Sequence, residues 1–395
     1  MKTVLLRIMV ATVVVAGLLT VIVVTRLVLS GGAERPERTV YPFEVDDESA
    51  ADRRARTAGG PDQGDYPQLH EHLERELLAD GSVVYTWEGT RGELMPILLW
   101  ASSDAPEAMP AILEAVEGLL AGGYAPERTV LLAFGSGETG IRTLASHLEG
   151  RGVRVEWALI PGAGLATGMA PGVGGTVGLV GTAAKGRVTL EVAGSLERAL
   201  VRLDEEPFPA RLEGPMAEQL DQLKPHMDPA FRMLAANLWI FRRPLLWVLS
   251  ADPVSNAQIR TTHAAGFASA IEIRVAPWDS VDGAVRELRS RLADLDIEIS
   301  VVDNAAPSRI SSSSAEGFEL IRGAVHGVFA DVRAVVPFLS WSPLDASPLE
   351  PVAGEIYHFA PVRVDAETHE EVEAQSPRAY LDMVRFYAEV IRRGS

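Results

Sequence analysis

The chain contains no cysteine. That absence excludes a disulfide framework, thiolate zinc sites, iron–sulfur clusters and a cysteine nucleophile, and it leaves His, Asp and Glu as the side chains able to hold a metal. Basic residues are also scarce. Lys and Arg number 36 against 54 Asp and Glu, a formal charge of −18, so the averaged field repels phosphate backbones and no basic stripe offsets it. Nucleic acid is therefore not an expected partner. Glycine and proline, 35 and 25 of 395 residues, fall well short of the roughly 25–30% that marks low-complexity disorder. With 47% hydrophobic residues the chain can bury a core, and 395 residues imply two domains, or one carrying a large insertion.

Long apolar runs are rare, and one stands out. Ile8 to Thr25 is uncharged between Arg7 and Arg26, and as a helix rising about 1.5 Å per residue it spans about 27 Å, close to a bilayer core. A cleaved signal peptide is the competing reading, with Ser30-Gly31-Gly32-Ala33 as a loose imitation of a cleavage site. The expectation is a single N-terminal transmembrane helix over residues 1–30, a solvated tether over 31–64 and a body on the extracytoplasmic side. Lys2 and Arg7 on one flank nearly balance Arg26 and Arg35 on the other, so the orientation signal is weak.

In the body the hydrophobic period alternates between helix and strand. Leu69, Leu73, Leu77 and Leu78 read as a helix closed by Gly81, followed by strands over 82–87 and 95–100 and a helix after Pro110. Strands over 129–134 and 154–159 flank a helix over 141–149, and a Gly-rich loop over 162–175 leads to another strand. This is the grammar of a doubly wound α/β sheet with helices on both faces. Between 185 and 302 the order becomes strand, helix, strands over 256–262 and 271–275, helix and strand, a ferredoxin-like β-α-β-β-α-β unit once an extra helical stretch is set aside. The α/β order then resumes. The predicted layout is a discontinuous domain over 65–184 and 303–395, interrupted by an inserted domain over 185–302.

Three strings could carry chemistry on their own. Gly135-x-Gly137-x-x-Gly140 follows a strand and opens a helix, with Glu156 downstream, in outline a dinucleotide fingerprint. It does not belong to the first βα unit, and a Gly-rich strand-to-helix turn needs no ligand to explain it. His369-Glu370-x-x-Glu373 is half of a zinc-helix motif, with Glu where the second His is required. Met233 to Leu249 is apolar but for Asn237, Arg242 and Arg243, and reads as helical packing within the inserted domain against lipid or partner contact.

Taken in order, YTWEG (85–89), MPILLWASSD (95–104), AILEAVEGLL (111–120), ERTVLLAFGSGETG (127–140), NAQIRTT (256–262), IYHFAPVR (356–363) and YLDMVRFYAEVIR (380–392) resemble the carboxypeptidase S branch of the aminoacylase-type dizinc peptidases. That branch includes enzymes that make and cleave N-fatty-acyl amino acids. The resemblance covers about residues 66 to 395 and implies a discontinuous catalytic domain with an inserted lid.

The site residues it implies are mostly changed. The family's first His-x-Asp corresponds to Ser102-Ser103-Asp104, keeping the acid alone, and the stretch holding the metal-bridging Asp has no counterpart between Asp104 and Met109. The Glu-Glu pair corresponds to Glu138 and Thr139, so the general-base position is kept without the ligand beside it. The next acidic ligand corresponds to Ile160 or Pro161, and the last His to His369. The lid's His-Ser-Ser segment, whose His reaches a partner protomer, shrinks to Ala193-Gly194, although a homodimer stays open. Asn256, Arg260 and Asp345 match positions near bound substrate. The N-terminal run and the resemblance together imply a membrane-anchored, catalytically inactive homologue with no zinc retained, binding a peptide, acyl-amino acid or protein partner. The alternative is an active metallopeptidase or amidohydrolase cleaving N-acyl amino acids or peptides, using zinc and a site rebuilt around Glu138, Asp104 and His369.

Overall fold

The computed structural model describes residues 64–395 apart from 103–106, 169, 171, 267–268, 341–343, 366–370 and 373–375. A short helix α1 (Pro67–His72) leads into a hairpin of β1 (Glu74–Leu77) and β2 (Val83–Trp87). The leucine spacing predicts helix through Leu78. Instead Glu74 to Leu77 pairs antiparallel with Val83 to Thr86. The turn between them is fixed where Asp80 accepts from Ser82 N at 3.0 Å and Ser82 Oγ at 2.9 Å, with Gly81 at φ +90°.

Next come β3 (Ile97–Ser102), α2 (Ala108–Ala121), β4 (Val130–Gly135), α3 (Gly137–Gly150), β5 (Val155–Ile160), β6 (Leu165–Thr167) and β7 (Thr176–Ala184). Strands β3, β4 and β5 are parallel and buried on both faces, which accounts for their unbroken apolar sequence. The glycine motif at the β4–α3 turn is a packing device. A Cβ on Gly135 would lie 2.3 Å from Ser82 Oγ, and one on Gly140 would lie 2.8 Å from the Gly135 carbonyl carbon.

The chain continues through β8 (Gly186–Ala193), α4 (Leu196–Glu205), α5 (Gly214–Leu223), α6 (Pro229–Ala236), α7 (Leu238–Ala251), α8 (Pro253–Ile259), β9 (Thr262–Ala265), β10 (Ala270–Val275), α9 (Val281–Leu292) and β11 (Glu298–Ala305). Residues 256–259, expected in a strand, lie in α8 because Asp252 caps it, accepting from Ser255 N at 2.8 Å with Pro253 in the first turn. The described chain ends with α10 (Glu316–Val328), β12 (Val332–Ser340), β13 (Ala353–His358), β14 (Arg363–Asp365), β15 (Glu371–Val372) and α11 (Pro377–Gly394).

Two sheets result. The large one has the order β1-β2-β4-β3-β5-β13-β7-β6-β14-β15, with β12 beside β7, and the small one the order β11-β8-β10-β9, antiparallel throughout. The small order is that of a β-α-β-β-α-β unit, and its core joins Val188, Leu190, Ile271 and Ile273 to Ala199 and Leu288. Helices α5 to α8 do not join that core. Met216, Leu220, Leu245, Leu249 and Ile259 pack instead with Val177, Leu179, Val336 and Phe338 of the large sheet. The outward side of α7 then exposes Trp239, Ile240, Trp247 and Val248.

The membrane reading needs correction. The run Ile8 to Thr25, the anchor over 1–30 and the tether before residue 64 lie outside the described residues, and no helix among the described residues is long and apolar enough to cross a membrane. The described residues form a mixed α/β fold, and nothing among them supports the N-terminal transmembrane helix or the single-pass membrane localisation.

Candidate functional site

Parallel strands β3, β4, β5 and β13 end together at Ser102, Gly135, Ile160 and His358. The carboxyl ends of such strands are where α/β sheets bind ligands. Helix α3 begins at this edge. Gly137 takes φ +47° and donates its N–H to Ser102 Oγ at 3.4 Å, so Ser102 serves the helix start. Glu138 follows in the first turn, where the helix dipole favours its charge, with Arg142 Nη2 4.0 Å from Oε2.

A cleft opens between this edge and the small sheet. Glu138 and Asp345 line one side. Lys185, Arg187, Arg274 and Ser308 line the other, contributed by the β7–β8 junction, β8, β10 and the segment after β11. Asp345 Oδ1 accepts from Ser347 N at 2.9 Å, which fixes its carboxylate at the loop after β12.

Two of the cleft cations carry their own counter-ions. Arg187 pairs with Asp303 at 3.1 Å and Arg274 with Glu272 at 3.3 Å. Lys185 is different: its Nζ donates to the Arg260 carbonyl at 2.8 Å and to Thr262 Oγ1 at 3.1 Å, both uncharged acceptors. Burial, helped by the Arg274 charge and opposed by Asp279, pulls its pKa down to about 7. Behind Asp345, His358 is enclosed at the end of β13, its Nδ1 without a hydrogen-bond partner and burial lowering its pKa to about 4.

Of the residues singled out from sequence, Glu138 and Asp345 share the cleft. Asn256 and Arg260 are on and just after α8. Arg260 Nη2 donates to Ser250 Oγ at 2.6 Å, and Asn256 Oδ1 is buried without a hydrogen-bond partner. Asp104 and His369 lie outside the described residues. Lys185, Arg187, Arg274 and His358 went unnoticed in the sequence. One signal was available: lysine occurs at only three positions, Lys2, Lys185 and Lys224, in a chain that otherwise uses arginine.

A pair of zinc ions would need several His, Asp or Glu donors converging at these strand ends. Ser102, Thr139 and Ile160 offer two hydroxyls and an alkyl group, and no group of three such donors forms among the described residues. The described residues do not fit that centre.

No family model matches the chain. Comparison with known proteins finds the N-fatty-acyl-amino acid synthase/hydrolase PM20D1 of Xenopus tropicalis, 24% identical over 401 residues, covering 83% of this chain and 78% of the relative. The human protein of that name is 24% identical over 392 residues, covering 81% and 78%. The probable carboxypeptidase S-like 2 of Dictyostelium discoideum is 24% identical over 401 residues, covering 83% and 77%. Among solved structures, an M20 family metallo-carboxypeptidase from Sulfolobus solfataricus superposes with a TM-score of 0.57 at 11% identity, covering 88% of this chain and 99% of that one. Human carnosine dipeptidase 1 gives 0.53 at 10% identity, covering 89% and 99%. Since these neighbours include a metallo-carboxypeptidase, the expectation of no cofactor has no support from them. By sequence the chain is a homologue of the N-fatty-acyl-amino acid synthase/hydrolases and the carboxypeptidase S-like proteins, and by fold it stands with the M20 metallopeptidases.

Proposed function

We propose that the chain is an amide hydrolase acting on N-acyl amino acids or peptides in the cleft between the two sheets. The observation that carries this reading is the placement of Glu138, at the start of α3 and at the carboxyl edge of the parallel strands, across the cleft from Lys185, Arg187 and Arg274. A carboxylate there can take a proton from a water attacking the amide carbonyl and return it to the departing nitrogen, a contribution of roughly 10²–10⁴ in rate. Arg187 and Arg274 suit the carboxylate of the amino-acid portion, and Leu344 with Ala184, Ala305 and Ala306 offers some apolar lining to an acyl chain. The metallo-carboxypeptidase neighbour makes zinc a cofactor to test, although the described residues alone assemble no site for it.

Purified full-length protein, zinc-loaded in one arm and chelated in the other, is incubated with N-decanoyl-phenylalanine, and released phenylalanine is measured. Turnover is expected, with a loss of at least about a hundredfold in Glu138→Gln. Turnover unaffected by that substitution would remove Glu138 from the reaction. A second reading, binding without turnover, is favoured by the hydroxyl and alkyl side chains at Ser102, Thr139 and Ile160. Saturable binding with no phenylalanine released in either arm would select it.

A further inference from the structure

Helix α7 leaves a set of large apolar side chains uncovered. At about 100° per residue, Trp239, Ile240, Pro244, Trp247 and Val248 fall within one half of its circumference, opposite Leu245 and Leu249. The inner half is buried against the large sheet, whereas Trp239 is 56% and Trp247 76% exposed, with Ile240 and Val248 exposed beside them. Single exposed apolar residues need no explanation, but four on one helix face form a patch.

The charges around the patch narrow what can cover it. Arg243 lies within the same arc and Arg242 at its margin, both exposed and, among the described residues, without an ion pair. Residues 229–251 contain Arg232, Arg242 and Arg243 and no Asp or Glu, a local charge of +3 in a chain of −18. A second copy laid on this face would bring its own arginine pair against the first, with no carboxylate from either helix between them. An anionic lipid surface meets both demands. Its headgroups take the guanidinium groups, and the acyl boundary beneath them takes the indole and aliphatic side chains. Tryptophan suits that boundary because its ring is apolar and its N–H is a donor.

We propose that the outer face of α7 docks the protein on anionic phospholipid, with Trp239, Ile240, Trp247 and Val248 in the boundary between headgroups and acyl chains and Arg242 and Arg243 on the phosphates. The contact is peripheral: α7 has 14 residues and is about 21 Å long, short of the roughly 30 Å of a hydrocarbon core, so it lies along the surface. It needs neither the residues before Gly64 nor the hydrolase reading. Near its end α7 is tied to the cleft wall, since Ser250 Oγ accepts from Arg260 Nη2 at 2.6 Å and the Arg260 carbonyl accepts from Lys185 at 2.8 Å. Docking would therefore hold the cleft at a surface into which fatty-acyl compounds partition.

Because the chain has no cysteine, a single introduced thiol reports on one site. Val248→Cys in the full-length chain is labelled with a polarity-sensitive nitrobenzoxadiazole dye, and so, separately, is Val302→Cys on exposed β11. With vesicles of equal parts phosphatidylcholine and phosphatidylglycerol, the α7 label is expected to shift to the blue and to be quenched by brominated acyl chains. The β11 label should do neither. Replacing Arg242 and Arg243 together by Gln should weaken the apparent lipid affinity about thirtyfold, with thermal melts matching the parent. Vesicles of phosphatidylcholine alone should bind little, and high salt should weaken the anionic contact. An α7 label unchanged on protein that sediments with the vesicles would place the contact elsewhere and overturn the proposal. An unchanged label on protein that does not sediment would overturn it too, leaving the face to a protein partner. A response undiminished by the double Gln substitution would remove the headgroup contact. One that appears without lipid and grows with protein concentration would assign the face to a second copy.

Discussion

His358 shows how one enclosed side chain ties stability to pH. In the folded chain its pKa is lowered from 6.5 to about 4, chiefly by burial and against the pull of Asp345, so the unfolded chain binds its proton first as pH falls. The stabilisation is fully present above about pH 6.5 and is lost as pH drops toward 4, to an extent on the order of 3 kcal/mol. His226 and His326, also lowered by burial, act in the same direction. Urea denaturation from pH 4.5 to 7.5 should therefore show a shallower acid limb in His358→Asn than in the parent; equal slopes would move the effect elsewhere. Residues of this kind are poorly legible in sequence. Glu138 and Asp345 could be placed because they sit in recognisable segments, whereas Lys185 and His358 derive their character from desolvation, which depends on chains far away in sequence.

Among the elements, α7 is the one whose composition misleads. Its apolar residues do not share a face. Leu245 and Leu249 are buried against the large sheet, while Trp247 is 76% exposed. Leu249→Ala should cost about 2–5 kcal/mol in chemical denaturation, and Trp247→Ala should stay within about 0.5 kcal/mol. Comparable losses from both would mean that Trp247 is covered in solution. Similar ambiguity explains where the periodicity failed. Leucines at 69, 73 and 77 fit a helix, but Leu77 ends a strand because β2 offers it an antiparallel partner. Conversely, Asp252-Pro253 is a start signal for α8, and the β-branched Ile259, Thr261 and Thr262 that suggest a strand lie at or beyond its end. The fully buried strands β3, β4 and β5 read correctly because they are continuous apolar segments bounded by turns.

At the scale of the molecule, the two sheets are joined by four crossings of the chain. These are Ala184 to Gly186, the segment between α4 and α5, Arg260 to Thr262, and the segment after Ala305. Two pairs of crossings are fastened to each other: Ala184 N donates to Ser308 Oγ at 2.7 Å and Ser308 N to the Ala184 carbonyl at 3.1 Å, while Arg211 N donates to the Ile259 carbonyl at 2.7 Å. A single proteolytic nick engineered after Ala305 should leave both fragments in one particle by native size-exclusion chromatography, separating only in denaturant. Separation under native conditions would show that the crossings do not hold the units together. The alternation of elements was legible at this scale, but the return of α5 to α8 to the large sheet was not, because sequence order alone does not reveal which of two cores an apolar helix joins.

The position of β7 carries a consequence in time. Its residues Thr176 to Ala184 are buried between β13 and β6 and beside β12, and the stretch from Val332 to His358 that supplies two of these neighbours is made about 150 residues later. At roughly 5–20 residues per second, a nascent chain would carry this apolar strand for on the order of ten seconds with only β6 as its partner. Over that interval the small sheet can close on itself once Ala305 has emerged, while the central strand of the large sheet waits as a substrate for chaperones.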